Sequence, residues 1–291
     1  MDTKEIDALI KLLDDTDTEV ARLIQERILS YGKEVIPYLE HAWENSFDPL
    51  LQHNIGEIIH KIQFKSLREA LMGWAKTKDQ DLLAGTILVA RYQYPDLDEG
   101  KIHDSIETIR KDAWLEMNDH LTALEKVKIL NHILFEAHGF GGNTANFHAV
   151  QNSFINIVLE SKKGNPLLLS IIYSVIAKQL EMPVYGVNLP EHFILAYINE
   201  HSIEPIPGEQ ELRILFYINA FSKGSVFPRS EIDKFLKQLK IEPHPHYYEP
   251  CTNLEIIQRM IRNLINSYTK LGHEEKCSEL ELLYKDLQIE I

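Results

Sequence analysis

Apolar residues recur at helical spacing from Ile6 to about Tyr92. Ile6, Leu9, Ile10 and Leu13 share one helix face, and Val20, Leu23, Ile24 and Ile28 share another. Val35, Ile36 and Leu39 open a third helix, with Pro37 tolerable in its first turn. Leu51, Ile55, Ile58, Ile59 and Ile62 mark a fourth, and two more follow around Leu67–Ala75 and Leu82–Tyr92. Asp15, Asp17 and Gly32 punctuate the early pairs as cap and turn residues. A hinge at Tyr94-Pro95-Asp96 to Gly100 precedes helices over Lys101–Asn118 and Leu121–Ala137. Gly139-Phe140-Gly141-Gly142-Asn143 breaks the pattern, and His148–Glu160 and Pro166–Leu180 are expected to be helical again. The period then changes. Val184–Leu189, Phe193–Ile198 and Ile214–Ile218 are short, β-branched segments that predict a small antiparallel sheet, with a turn at Gly208-Glu209-Gln210. A helix capped by Ser230 is expected over Arg229–Leu239, then a linker over Pro243–Pro250. Helices over Leu254–Leu271 and Glu274–Leu287 close the chain.

The fold class is therefore α+β, mostly α. Its expected parts are a helical domain over 1–100, a core with the sheet over 101–242, and a linker with a helical hairpin over 243–291. Glu19-Val20-Ala21-Arg22-Leu23-Ile24 and Gly32-Lys33-Glu34-Val35-Ile36-Pro37-Tyr38-Leu39 resemble units of a HEAT-like solenoid, with a generic helical bundle as the alternative. The last two helices resemble a hairpin of the TPR kind.

Composition narrows the function. With 291 residues, 44% of them hydrophobic, the chain can bury a proper core. A net charge of −14 disfavours non-specific binding to nucleic acid or to anionic lipid. Met1-Asp2-Thr3-Lys4-Glu5 lacks the pattern of a secretory signal, and the most apolar run, about Pro166 to Ala177, is too short to span a bilayer. Two cysteines, Cys251 and Cys277, cannot build a disulfide framework, so a cytoplasmic location is expected.

The candidate chemistry centres on Lys163-Gly164-Asn165-Pro166-Leu167-Leu168-Leu169-Ser170 and on Val184-Tyr185-Gly186-Val187-Asn188-Leu189-Pro190-Glu191-His192-Phe193. The first is a helix start: Asn165 is a good N-cap and proline is favoured at the first helical position. The second ends on a strand that begins near His192. A helix N-terminus facing a strand-borne histidine is the frame of a papain-like or transglutaminase-like thiol site, in which the helix dipole and the histidine activate a cysteine. Here Pro166 stands at the helix start.

Several phrases in order carry a resemblance to a known family. They are Asn152-Ser153-Phe154 to Val158-Leu159-Glu160, Lys162-Lys163-Gly164-Asn165-Pro166, Met182-Pro183 to Gly186-Val187-Asn188-Leu189-Pro190, His192-Phe193, and Phe216-Tyr217-Ile218-Asn219-Ala220-Phe221 with Gly224. Over about Lys101 to Leu239 the chain resembles the transglutaminase-like superfamily in its SirB-type branch. The resemblance implies that the cysteine position falls on Pro166, the histidine on His192 and the aspartate on Asn219. Where that branch usually has glycine before the histidine, this chain has Glu191. Asn219 can still orient a histidine, although a neutral amide stabilises an imidazolium less than a carboxylate does.

Other nucleophiles are candidates. Ser170 lies one turn beyond Pro166 on the same face, and Cys251 follows the proline-rich segment and can fold back over the site. Asn165, Glu191 and Lys163 are candidate cleft residues. Lys162 and Lys163 can grip an anion or be solvated. The glycine-rich run at 139–143 lacks the Lys-Ser/Thr of a phosphate loop and is expected to be structural. His244, His246 and Cys251, and His53 with His60, lack zinc-site spacing, so no metal is expected, and no cofactor. The leading reading is an inactive transglutaminase-like protein that acts as a cytoplasmic binding or regulatory module with a protein or peptide partner. The alternative is an acyl-transfer or cysteine-protease-like enzyme with a displaced nucleophile, Cys251 or Ser170, and His192 as base. A third is a scaffold whose cleft is closed by apolar side chains such as Leu167 and Phe193.

Overall fold

The computed structural model describes residues 3–13, 17–147, 149–199 and 214–288. The turn expected at Gly208-Glu209-Gln210 lies outside them. The chain forms two compact units, residues 1–73 and 74–291. The described residues are mostly helical, with one four-stranded antiparallel sheet.

In the first unit, α1 (Thr3–Ile10), α2 (Thr18–Ser30), α3 (Ile36–Asn45) and the start of α4 (Pro49–Ala75) follow one another. Ile6, Ile10, Ile28, Leu39, Ile55, Ile58 and Ile62 form a single buried cluster, so the helical spacing of these residues does become a shared core. Asp17 caps α2 by accepting from the backbone of Glu19 and Val20.

The second unit continues through α5 (Leu82–Arg91), α6 (Glu99–Glu116) and α7 (Ala123–Asn131), which runs into a π-helical turn at His132–Ala137. The helix expected over 148–160 is broken in two. Val150–Ser153 is a short 3-10 turn, Phe154 is extended, and α8 covers only Ile155–Ser161. Phe154 is buried, its ring edge-on to Tyr94 at 5.4 Å, and this anchor interrupts the helix. The glycine-rich run is structural, as expected. Gly141 and Gly142 (β1) pair in parallel with Lys163 and Gly164 (β2), and the N–H groups of Gly141 and Asn143 go to Lys162 and Gly164 carbonyls. Those donors are spent on the chain itself.

Next comes α9 (Pro166–Gln179), buried along Leu167–Ala177. Each fully buried leucine or isoleucine there contributes roughly 1.5–3 kcal/mol relative to exposure. It packs on β3 (Val184–Leu189) and β4 (His192–Ile198), which pair with β5 (Ile214–Asn219) and β6 (Ser225–Phe227) in the order β3-β4-β5-β6. The three-residue β6 escapes the sequence pattern because it is too short to show alternation.

The other face of the sheet is covered by α10 (Arg229–Gln238). Val187, Leu189, Ile194, Ala196 and Tyr217 meet Ile232, Leu236 and Tyr248 there. Ser230 is not the cap of α10; it lies inside the helix, and Pro228 occupies the cap position with no side-chain bond. Nor is Pro243–Pro250 a free linker. Tyr248 is buried, its hydroxyl donates to Asp233 at 2.7 Å, its carbonyl accepts from Tyr217, and Arg229 stacks on its ring. The ring fills a gap in the sheet face, and that burial holds the segment down. The chain closes with α11 (Asn253–Leu271), started by a Thr252/Glu255 capping box, and α12 (Glu274–Asp286), packed against it.

Candidate functional site

The N-terminus of α9 is built as its residues dictate. Asn165 is extended, and its Oδ1 accepts from Leu168 N at 2.8 Å while its Nδ2 donates to Ser153 Oγ at 2.9 Å. Pro166 is the first helical residue, where its missing N–H costs nothing. This corner opens on a cleft of about 560 Å³. Asn165, Pro166 and Leu167 form one wall, Glu191 and Phe193 another, and Arg259, Asn263, Asn266, Ser267 and Lys270 of α11 a third. The cleft is not closed by apolar packing, since Leu167 and Phe193 share it with this polar stripe. Lys163, expected here, pairs in β2 and does not line it.

Glu191 sits in the two-residue turn between β3 and β4, with Leu189 paired to His192 across it. Its φ of 57° is left-handed, a conformation that favours glycine. The glycine implied by the resemblance thus has a conformational reason, and a glutamate here carries a backbone cost of roughly 1–2 kcal/mol.

Strand alternation then separates neighbours. Glu191 and Phe193 face the cleft, whereas His192 points to the other face of β4, its ring 6.2 Å from that of Phe235 on α10. The Asn219 side chain on β5 lies beside His192 and favours its protonated form. Burial holds its imidazole below the ordinary histidine range; the nearby Arg259 charge adds to this and the Asn219 amide opposes it. Among the described residues, no hydroxyl or thiol hydrogen-bonds His192.

Arg259 anchors the third wall. Its Nη1 donates to Leu189 O at 2.6 Å and to Asn188 Oδ1, and its guanidinium lies 5.7 Å from the Phe193 ring centre. Burial, and then Arg262, push it down to about 10. Sequence reasoning missed Arg259, Asn263 and Asn266. Their signal was present, because 259, 263, 266 and 270 recur at helical spacing in a stripe that flanks the buried Ile256, Met260, Ile261 and Leu264. What that stripe faces was not legible.

The family model of the transglutaminase-like superfamily matches residues 100–262, more than half of the chain. The chain belongs to the transglutaminase-like superfamily. It is 27% identical over 200 residues to a UPF0162 protein of Xylella fastidiosa (strain Temecula1), covering 68% of each chain. It is also 27% identical over 157 residues to human F-box only protein 21, a stretch that is 54% of this chain and 23% of that one. No solved structure matches.

In this transglutaminase-like protein the other candidate nucleophiles lie apart from the cleft. Ser170 is completely buried and donates to Pro166 O at 2.8 Å. Cys251 lies against β3, where its N–H and its thiol both donate to the Gly186 carbonyl, at 2.8 and 3.2 Å. It lines a second cavity of about 510 Å³, with Lys178, Glu181, Met182 and Tyr185. Burial, then the Glu255 carboxylate, push its thiol up to about 12. Cys251 and Cys277 are free thiols. His244 and His246 touch each other through their Nδ1 atoms, and no group of three or more metal-ligating side chains occurs among the described residues. No described helix is long and apolar enough to cross a membrane.

Proposed function

We propose that this chain is a SirB-type member of the superfamily that has lost the catalytic cysteine, Pro166 standing in its place, and that its α9 cleft binds a protein or peptide partner. The carrying observation is the pairing of His192: its ring meets the Asn219 amide on one side of β4, while the cleft at Pro166 opens on the other. General-base activation needs a nucleophile within about 3 Å of the imidazole, somewhat looser without substrate. The embedding of a related stretch within the longer F-box only protein 21 supports reading the core as a module. The helices of the first unit, read as HEAT-like, would offer a second protein-binding surface. A cytoplasmic setting fits the two free thiols.

The enzyme reading has Cys251 or Ser170 as nucleophile. It is disfavoured because the first opens into a separate cavity with its thiol proton held, and the second is sealed in the core. The test is turnover. The purified chain, given p-nitrophenyl acetate and, separately, casein with a fluorescent primary amine, is expected to match its His192→Ala variant in both assays. Hydrolysis or amine incorporation that His192→Ala abolishes would sink the proposal.

A further inference from the structure

The polar wall of the cleft keeps donors and acceptors that open on the cleft and bond no protein group among the described residues. Arg259 carries five N–H donors in a rigid fork, and only Nη1 is bonded to protein. Among the described residues, Nε and Nη2 have no hydrogen-bond acceptor and no carboxylate lies within ion-pair distance of the guanidinium. The guanidinium has given up part of its hydration without gaining a counter-charge, and Arg262 nearby adds a like charge. The side-chain amides of Asn263 and Asn266 also make no hydrogen bond among the described residues.

These groups have a geometry. Arg259, Asn263, Asn266 and Lys270 follow one face of α11, a stripe about 16 Å long at 1.5 Å per residue. An extended chain covers that length in about five residues. Side chains three apart on a helix stand about 5–6 Å apart, close to the roughly 6.6 Å two-residue repeat of an extended main chain. An asparagine amide offers one acceptor and two donors, the complement of a peptide unit. At the rim, Lys270 and Glu191 are exposed charges of opposite sign that solvent screens, so the half-buried Arg259 sets the preference.

We propose that the cleft binds an extended peptide whose carboxylate pairs with Arg259 and whose main chain is held by Asn263 and Asn266. This rests on the reading of the cleft as a peptide-binding site and adds the chemistry it selects. The carboxylate is either an acidic side chain or a chain end. A planar fork on a carboxylate is the charged pairing that tolerates partial burial, since both partners stay hydrogen-bonded.

The test uses the 15N-labelled full chain and three Gly/Ser hexapeptides. One is blocked at both ends with a central glutamate, one is blocked with a central glutamine, and one has no acidic residue but a free C-terminal carboxylate. The glutamate peptide, the free-end peptide, or both should move the Arg259 Nε–Hε and the Asn263 and Asn266 NH2 resonances saturably. The glutamine peptide should bind on the order of tenfold more weakly. Which carboxylate peptide binds assigns the source. Arg259→Gln should remove the preference. Because Arg259 also ties down β3, Asn266→Ala, an exposed site, is the second variant. It should weaken the carboxylate peptide several-fold with the rest of the spectrum unchanged, and unaltered affinity would overturn the main-chain contact. Equal binding of the glutamate, glutamine and free-end peptides would overturn the carboxylate preference and leave a peptide cleft standing. No saturable shift with any peptide at millimolar concentration would overturn both.

Discussion

Two cavities flank β3 and β4, and they differ in how their polar groups are spent. In the cavity at Cys251, the thiol and the backbone N–H of that residue both go to the Gly186 carbonyl. In the cleft at Pro166, Arg259 keeps two nitrogens, and Asn263 and Asn266 keep their whole amides, without partners among the described residues. Reactive chemistry needs an activated atom, and binding needs unspent donors and acceptors. The first cavity has a cysteine without activation. The second has unspent donors and acceptors, and no hydroxyl or thiol among the described residues hydrogen-bonds His192.

The largest expected effect tests the first cavity. With its thiol near 12 rather than the ordinary 9, Cys251 in a Cys277→Ser background should be alkylated at neutral pH on the order of 10³-fold more slowly than an unperturbed thiol. His192→Ala should leave that rate unchanged. Rapid labelling that depends on His192, read by mass spectrometry, would erase the contrast between the cavities.

Gly186 is the wall between them. A Cβ there would lie 2.6 Å from the Phe193 ring and 3.0 Å from Ile256 Cδ1. Gly186→Ala should cost about 1–3 kcal/mol in urea unfolding, as overpacking does. It should also disturb both cavities, since Gly186 lines one and Phe193 the other. Unchanged stability would mean that the wall is soft.

Glu191→Gly relieves a left-handed backbone, and after the entropy glycine adds to the unfolded chain it should stabilise the fold by a net of up to about 1 kcal/mol. Destabilisation would mean that the glutamate side chain earns its place at the rim.

The smallest effect lies on the far face of β4. His192 should titrate below 6.5 in an imidazole NMR titration. Asn219→Ala should lower it further, and Arg259→Gln should raise it. For linkage, the neutral form is favoured in the fold, so the unfolded chain takes up the proton first. Stability is therefore undiminished above about 6.5 and declines as pH falls from there through the lower folded value, by about 1.4 kcal/mol for each unit of depression. No decline assignable to His192 would show that its burial is incomplete.

Much of this was legible in the residues. Asn165-Pro166 announces a helix start, because one caps with its side chain and the other lacks an N–H to satisfy. The β-branched runs at 184–189 and 193–198 announce strands, and the apolar stripe of α11 announces a packed helix. The placement of the expected site residues was legible only in part. His192 and Asn219 do meet, and Asn165, Pro166 and Glu191 do share a cleft, but the two groups fall on opposite sides of β4.

The amino-acid order by itself determined most of the elements and caps such as Asp17 and Asn165, because those depend on spacing within a few residues and on backbone chemistry; the break at Phe154 and the start of α10 at Pro228 did not follow from it. Only the tertiary structure decided which cavity each side chain enters. Glu191, His192 and Phe193 are consecutive, yet the period of two in a strand sends the middle one away from its neighbours. Arg259 is 93 residues from Pro166, and Cys251 is 65 from Gly186. Contacts at such separations follow from how α9, the sheet and α11 bury their apolar faces together, and no local pattern encodes that.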